Sequence, residues 1–279
     1  LQNQHETMWT SLLPKAQRHW VPIVDHPQVT LQTNITVVIP AGVQVWATGK
    51  KVGEEVVSVD AMRYQFASQK EVPASGLAFT IGKFKQQSTS SGSKKVNVAV
   101  EQDLTAQVDP QELLQKAKDY LGMVEDKLQR EYPFEELQVV ALEDHHGETK
   151  FWGASVIYVY ANRGTIDAQL MRGIIGQWFG VRQRERQWSQ SDAINLYQTL
   201  VFQAATQSDS GLAASHVPNG FSVSLYDGFG PQRWNSWQQG MDEWANKSVR
   251  SFLLNSIGEV LENEDVISWS DYAEYWYDY

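Results

Sequence analysis

The densest group of residues able to do chemistry is "LEDHHGE", which gathers Glu143, Asp144, His145, His146 and Glu148 in one short stretch. Imidazoles and carboxylates bind zinc, and imidazole also exchanges protons near neutral pH. Adjacent histidines diverge on most backbones, however, and one loop rarely closes a tetrahedral shell. A polar surface loop is therefore the favoured reading. Ser215 and His216 are neighbours in a Gly-, Ser- and Asn-rich segment, a poor geometry for a nucleophile and its base. Neither a Gly-x-Ser-x-Gly elbow nor a Gly-x-Gly-x-x-Gly phosphate turn occurs. The chain has no cysteine, which removes disulfides, zinc thiolates and thiol nucleophiles together. His5, His19 and His26 are scattered and read as ordinary surface or partly buried residues.

The elements that must position these residues divide the chain in two. Residues 1 to about 100 read as strands: "VTLQTNITVVIP" alternates before Pro40, and "QVWATGKKV" holds a Thr48-Gly49 turn between two strand-like pieces. "YQFASQKEV" and "GLAFTIGKF" continue the pattern. "KQQSTSSGSKKVNV" is expected to be a flexible hairpin tip or loop, with "VNVAVEQDL" as the last strand of this region. Asp109-Pro110 then predicts an N-cap with proline at the first helical position. The helix that follows buries Leu113, Leu114, Ala117, Tyr120, Leu121, Val124 and Leu128. "ELQVVALED" and "ASVIYVYANR" predict two strands. Helices are expected at 166–182 and 192–206, and again at 236–246 and 248–261, with an irregular segment at 207–233. The expected class is α+β: an antiparallel β-rich domain over 1–105, then an α+β domain over 106–279.

Composition bounds the partners. A chain of 279 residues with 42% hydrophobic and 20% charged content has the make-up of a globular protein. Its net charge of −10 argues against nucleic acid, which attracts a basic face. No apolar run is long enough to span a membrane, and no signal-peptide pattern opens the sequence. The abrupt first residues and the aromatic end suggest a piece of a longer protein. A cysteine-free chain fits cytosol and periplasm alike, with a periplasmic or extracellular setting slightly favoured. Of the 11 tryptophans, Trp152, Trp178 and Trp188 are expected in the core. Those from Trp234 to Trp276 are read as a helical core or an interface rather than a platform for peptide or glycan.

The order Tyr132-Pro133-Phe134, "LQVVALED", Gly147 to Gly153 and Gln177-Trp178-Phe179-Gly180 resembles the gluzincin aminopeptidases, the aminopeptidase N and leukotriene hydrolase family. "VVIPAGVQVWATGKKV", "LAFTIGKF" and Trp20-Val21-Pro22 with Asp25 and Pro27 fit the same likeness, which covers nearly the whole chain from about Trp20. It implies a partial, saddle-like β domain followed by a thermolysin-like α+β domain. It also implies a His-Glu-x-x-His helix, in which two imidazoles one turn apart meet one zinc ion beside a general-base glutamate. Aligned on Gln-Trp-Phe-Gly, Arg172 and Gly176 stand at the two histidine positions and Gly173 at the general base. The third ligand falls on Asn195, or on Leu196 one residue later. Lys150 replaces the glutamate that holds a substrate's α-amino group, and Ala245 replaces the transition-state tyrosine. The resemblance thus implies a degenerate, catalytically inactive peptidase-like protein with no metal and no other cofactor, acting on a peptide or protein partner by binding or scaffolding. The alternative is a metal-independent or re-sited hydrolase whose candidate cleft residues are Glu143, Asp144, His145, His146 and Trp152.

Overall fold

The alternating segments of the first hundred residues become short strands shared among several sheets. The computed structural model describes residues 2–4, 7–13, 15–143, 152–162, 165–185, 198, 201–202 and 266–267. The first strands are β1 (Gln2–Gln4), β2 (Thr7–Trp9), β3 (Thr30–Leu31), β4 (Asn34–Pro40), β5 (Gln44–Ala47), β6 (Lys50–Ser58), β7 (Ala61–Ala67), β8 (Val72–Pro73) and β9 (Phe79–Gly82). They form antiparallel sheets of order β1-β2-β9-β5 and β4-β7-β6, with β3 paired to β8. The Thr48-Gly49 turn sends β5 and β6 into different sheets. Gly49 adopts φ +97°, and a Cβ there would come within 2.7 Å of the Ala67 carbonyl carbon, so the turn requires glycine on both counts.

β10 (Phe84–Ser91) and β11 (Lys94–Glu101) form a hairpin closed by Gly92 and Ser93, with every residue from Phe84 to Ser91 paired. Of the hairpin tip or loop expected at "KQQSTSSGSKKVNV", the hairpin tip is present at Gly92 and Ser93, and the residues on either side of it are strand. Lys85, Gln86, Gln87 and Ser88 are all exposed, so this edge strand carries no alternation for the sequence to display. Next come α1 (Pro110–Leu128), β12 (Glu136–Leu142), β13 (Trp152–Gly153), β14 (Val156–Tyr160) and α2 (Ile166–Ile175), and finally β15 (Arg184–Glu185) paired with β16 (Val266–Ile267). The main sheet has the order β10-β11-β12-β14-β13. Within it β11, β12 and β14 are mutually parallel and β13 is antiparallel. The parallel strands are almost wholly buried, as continuous apolar runs such as "VIYVY" require.

α1 starts as expected: the Asp109 carboxylate accepts from the Gln111 N–H at 3.0 Å, and every predicted apolar position except half-buried Tyr120 is buried. As the crossover between β11 and β12, it packs on β10, β11 and α2. One core cluster lies between this sheet and the helices, including Val98, Leu121, Val139, Ile157 and Leu170. A second, with Trp9, Trp46, Phe84, Val140 and Tyr158, joins the sheet to the N-terminal strands.

Hydrogen bonding crosses the expected division at 105/106. Lys95 to Val100 pair in register with Glu136 to Ala141, and Gln138 donates to the carbonyls of Ala47 at 2.9 Å and Gly49 at 2.8 Å. A parallel pair places its first strand before the crossover helix. α2 also ends earlier than its apolar spacing predicts, at Ile175 rather than at residue 182. The N–H groups of Gln177 and Trp178 bond three residues back, to Ile174 and Ile175, and Gly180 turns to φ +121°. Gln177-Trp178-Phe179-Gly180 is thus a tight turn after the helix. The expected helices beyond 206 lie outside the described residues.

Candidate functional site

α2 and its C-cap approach β14 and β13 so closely that two positions, Gly173 and Gly176, have no room for a side chain. A Cβ on Gly173 would lie 2.3 Å from Ile157 Cγ2, and one on Gly176 would lie 2.5 Å from Trp152 Cδ2. Trp152 is 9% exposed, and its indole nitrogen would also come within 2.8 Å of a Cβ on Gly180. The Trp152 ring therefore fills the space beside the C-terminal turn of α2. Arg172, on the same helix, has its guanidinium over the Phe202 ring at 5.4 Å, a favourable cation–π placement. Burial pulls its pKa down to about 10.

The turn after α2 is held by one amide. Gln177 is fully buried. It donates to the carbonyls of Gly153 at 3.1 Å and Gly173 at 3.2 Å, and its Oε1 accepts from the Ser155 N–H at 2.9 Å and the Tyr132 hydroxyl at 3.5 Å. Trp178 donates to the Glu131 carbonyl at 3.2 Å and meets Tyr132 edge to face at 5.6 Å. Burial, and then the nearby Glu125 carboxylate, push the Tyr132 hydroxyl well above its ordinary value. Gln169 does the same for β14 from earlier in the helix, accepting from the Tyr160 N–H at 2.7 Å and donating to the Tyr160 carbonyl at 3.0 Å. Across α1 and α2, Asp167 accepts from the Tyr120 hydroxyl at 3.0 Å and pairs with Lys116 at 3.1 Å.

Arg172, Gly173, Gly176 and Trp152 are thus brought together along one side of α2. Glu143 is half-buried just past β12. Asp144, His145, His146, Lys150 and Asn195 lie outside the described residues, as do Leu196, Ala245 and Trp188. Among the described residues no group of three or more His, Cys, Asp or Glu is placed to hold a metal ion, and no helix is long and apolar enough to cross a membrane.

Solved structures share this fold over three quarters of the chain. The M1 zinc metallopeptidase from Deinococcus radiodurans is similar with a TM-score of 0.63 at 18% identity, over 75% of this chain and 48% of that one. This chain has the M1 metallopeptidase fold. A variant of a two-domain M1 zinc metallopeptidase bound to L-arginine is similar to the same degree over the same shares. A variant of the Deinococcus radiodurans enzyme bound to a Tyr-Ser-Ala substrate gives a TM-score of 0.61 at 19% identity, over 75% of this chain and 48% of that one. The chain spans about half the length of these M1 structures. No family model matches the sequence, and no curated protein does.

Two clefts that the sequence gives no sign of flank the seam between the M1-like sheet and the N-terminal strands. One, of about 490 Å³, lies among Lys70, Lys94, Tyr132 and Phe134. The other, of about 460 Å³, lies beside β5, with Gln44 and Trp46 in its wall. Glu136 lines both, and burial, opposed by Lys95 and Lys50, raises its carboxyl pKa. Only three-dimensional pairing assembles either cleft, because its residues come from strands far apart in sequence.

Proposed function

We propose that this chain is a catalytically inactive peptidase-like protein that acts by binding or scaffolding a peptide or protein. In this reading Arg172, Gly173, Gly176 and Asn195 stand where an active relative carries its metal ligands and general base, and Lys150 stands where such a relative holds a substrate's amino group. One observation carries it. Gly173 and Gly176 are packed against Ile157 and Trp152 at distances that exclude even a Cβ, so these positions serve helix-to-sheet packing. A zincin needs an imidazole at the second of them and a carboxylate at the first. The half-buried guanidinium of Arg172 would further oppose a divalent ion by charge repulsion.

The turn at Gln177 supports the same reading. Its four hydrogen-bond partners are structural, so this segment of the helix-and-turn unit has a reason to persist without catalysis. The test is elemental analysis of the protein purified without chelators, together with hydrolysis of aminoacyl nitroanilides. Substoichiometric zinc and no chelator-sensitive cleavage are expected. One zinc per chain with chelator-sensitive release of an N-terminal residue would overturn the proposal.

A further inference from the structure

β6 is the edge of its three-stranded sheet, paired with β7 on one side and with no strand of the described residues on the other. Every residue in it except half-buried Gly53 is exposed. An open edge of this kind is a template for another strand. Val52, Val56, Val57 and, in the turn that follows, Val59 are 46% to 93% exposed. Lysines and bulges commonly discourage such an edge from pairing. On β6 both are arranged so that a second copy fits.

The charges of "KKVGEE" reverse about its centre: Lys50 and Lys51 precede Val52-Gly53, and Glu54 and Glu55 follow. Antiparallel pairing of two copies about a two-fold axis at Val52-Gly53 sets Lys50 opposite Glu55 and Lys51 opposite Glu54, each pair occurring twice. In a regular strand Lys50 and Glu55 would point to opposite faces, and such an axis could not match them. The bulge corrects this. Lys51 pairs with Phe66 and Gly53 with Gln65, which leaves Val52 as the extra residue. Lys50 and Glu55 therefore share the face of Ala67 and Arg63, their partners on β7, and Lys51 and Glu54 share the face of Phe66 and Tyr64. Directly opposed residues of an antiparallel pair lie on one face, so both charge pairs match at once. Parallel pairing would instead set like charges together.

These charges already have partners within the chain: Lys50 with Glu135 at 3.3 Å, Lys51 with Glu54 at 2.6 Å, and Glu55 with Arg63. All are exposed pairs, which hold little energy singly. A second copy extends them into a network, since its Glu54 and Lys51 would close the Lys51–Glu54 pair into a ring of alternating charge. We propose that β6 is a self-recognition strand through which two copies of this chain associate, antiparallel about Val52-Gly53. Val52 of each copy then leaves water beside the axis, against a glycine that has no side chain to exclude it. The overlap runs only from Lys50 to Glu55 on each copy, so the interface is small and the association weak, with its register fixed by charge. It involves no residue of α2, so zinc content and peptidase activity leave this inference untouched, and its failure leaves the reading of α2 standing.

The test is analytical ultracentrifugation of the full chain over a concentration series. The parent is expected to pass from monomer to dimer. Salt at about 1 M, where the Debye length falls to about 3 Å, should weaken that dimer, a check that needs no substitution. K50E/K51E makes every charge of the stretch negative and E54K/E55K makes every one positive, and each should weaken self-association by about tenfold or more. Mixed in equal amounts, the two variants should restore a dimer, because every lysine again opposes a glutamate. A parent that stays monomeric at sub-millimolar concentration, or a dimer indifferent to salt, would overturn the proposal. So would double variants that dimerise like the parent, or a mixture that stays monomeric while both variants keep the parent's circular dichroism.

Discussion

Replacing Gln177 by leucine tests whether the turn after α2 is held by its amide. The substitution keeps nearly the same volume and leaves the Ser155 N–H, the Gly153 carbonyl and the Tyr132 hydroxyl without their buried partner. Each buried group so stranded costs about 1–3 kcal/mol. The Tyr132 contact is long at 3.5 Å, so the two backbone groups should dominate, for a loss of roughly 2–6 kcal/mol. At about 2–4 °C per kcal/mol for a chain of this size class, the thermal midpoint should fall by roughly 4–24 °C. Urea unfolding followed by circular dichroism gives the free energy directly. Gln115→Leu is the control, because that amide is exposed and among the described residues bonds only to Asp119. The control should stay within about 0.5 kcal/mol of the parent, as surface substitutions do. If Gln177→Leu did the same, the clamp would contribute nothing and the structural account of Gln-Trp-Phe-Gly would be wrong.

Other perturbations have equally definite expectations. Gly176→Ala presses a methyl into the Trp152 ring and should destabilise by about 1–3 kcal/mol, the cost of overpacking. Trp152→Leu in the same chain should recover some of that loss, read as a coupling energy in a double-mutant cycle. Asp109→Ala removes the α1 cap and should cost about 0.5–2 kcal/mol in urea unfolding. Burial, then Asp167, raise the Tyr120 hydroxyl to about 12. The folded state therefore holds this proton longer than the unfolded chain, whose phenol ionises near 10. That stabilisation is complete below about pH 10 and is lost as pH rises toward 12. The thermal midpoint should fall across that window, and Tyr120→Phe should flatten the fall.

Much of the scaffold was legible because local chemistry matched the final structure. Asp109-Pro110 announced α1, and the uninterrupted apolar runs announced β12 and β14. β10 escaped because an edge strand with both faces wet shows neither alternation nor apolarity. The end of α2 escaped because Trp178 and Phe179 continue its apolar spacing, while the backbone turns at Gly176 and Gly180. The environment around Arg172 was half legible: the residues at 172, 173 and 176 are Arg, Gly and Gly. That Ile157 and Trp152 occupy the space depends on how the helix docks. Buried amides were the least legible. Gln138, Gln169 and Gln177 look like surface residues in sequence, and only tertiary pairing supplies carbonyls and N–H groups for them.

The parallel pairing of β11 with β12 sets a timetable for synthesis. A ribosome releases β11 well before α1, β12 and β14 have been made, and until they arrive Val96, Val98 and Val100, all fully buried in the finished protein, lack most of the cluster they pack in. Gln138 adds a second delay, since it closes the Ala47 and Gly49 carbonyls from the far side of the helix. The nascent N-terminal strands must therefore wait in a sticky, incomplete state that invites chaperones. A stop codon near residue 105 would make that state permanent, so such a product should aggregate or be degraded rather than persist as a small β domain.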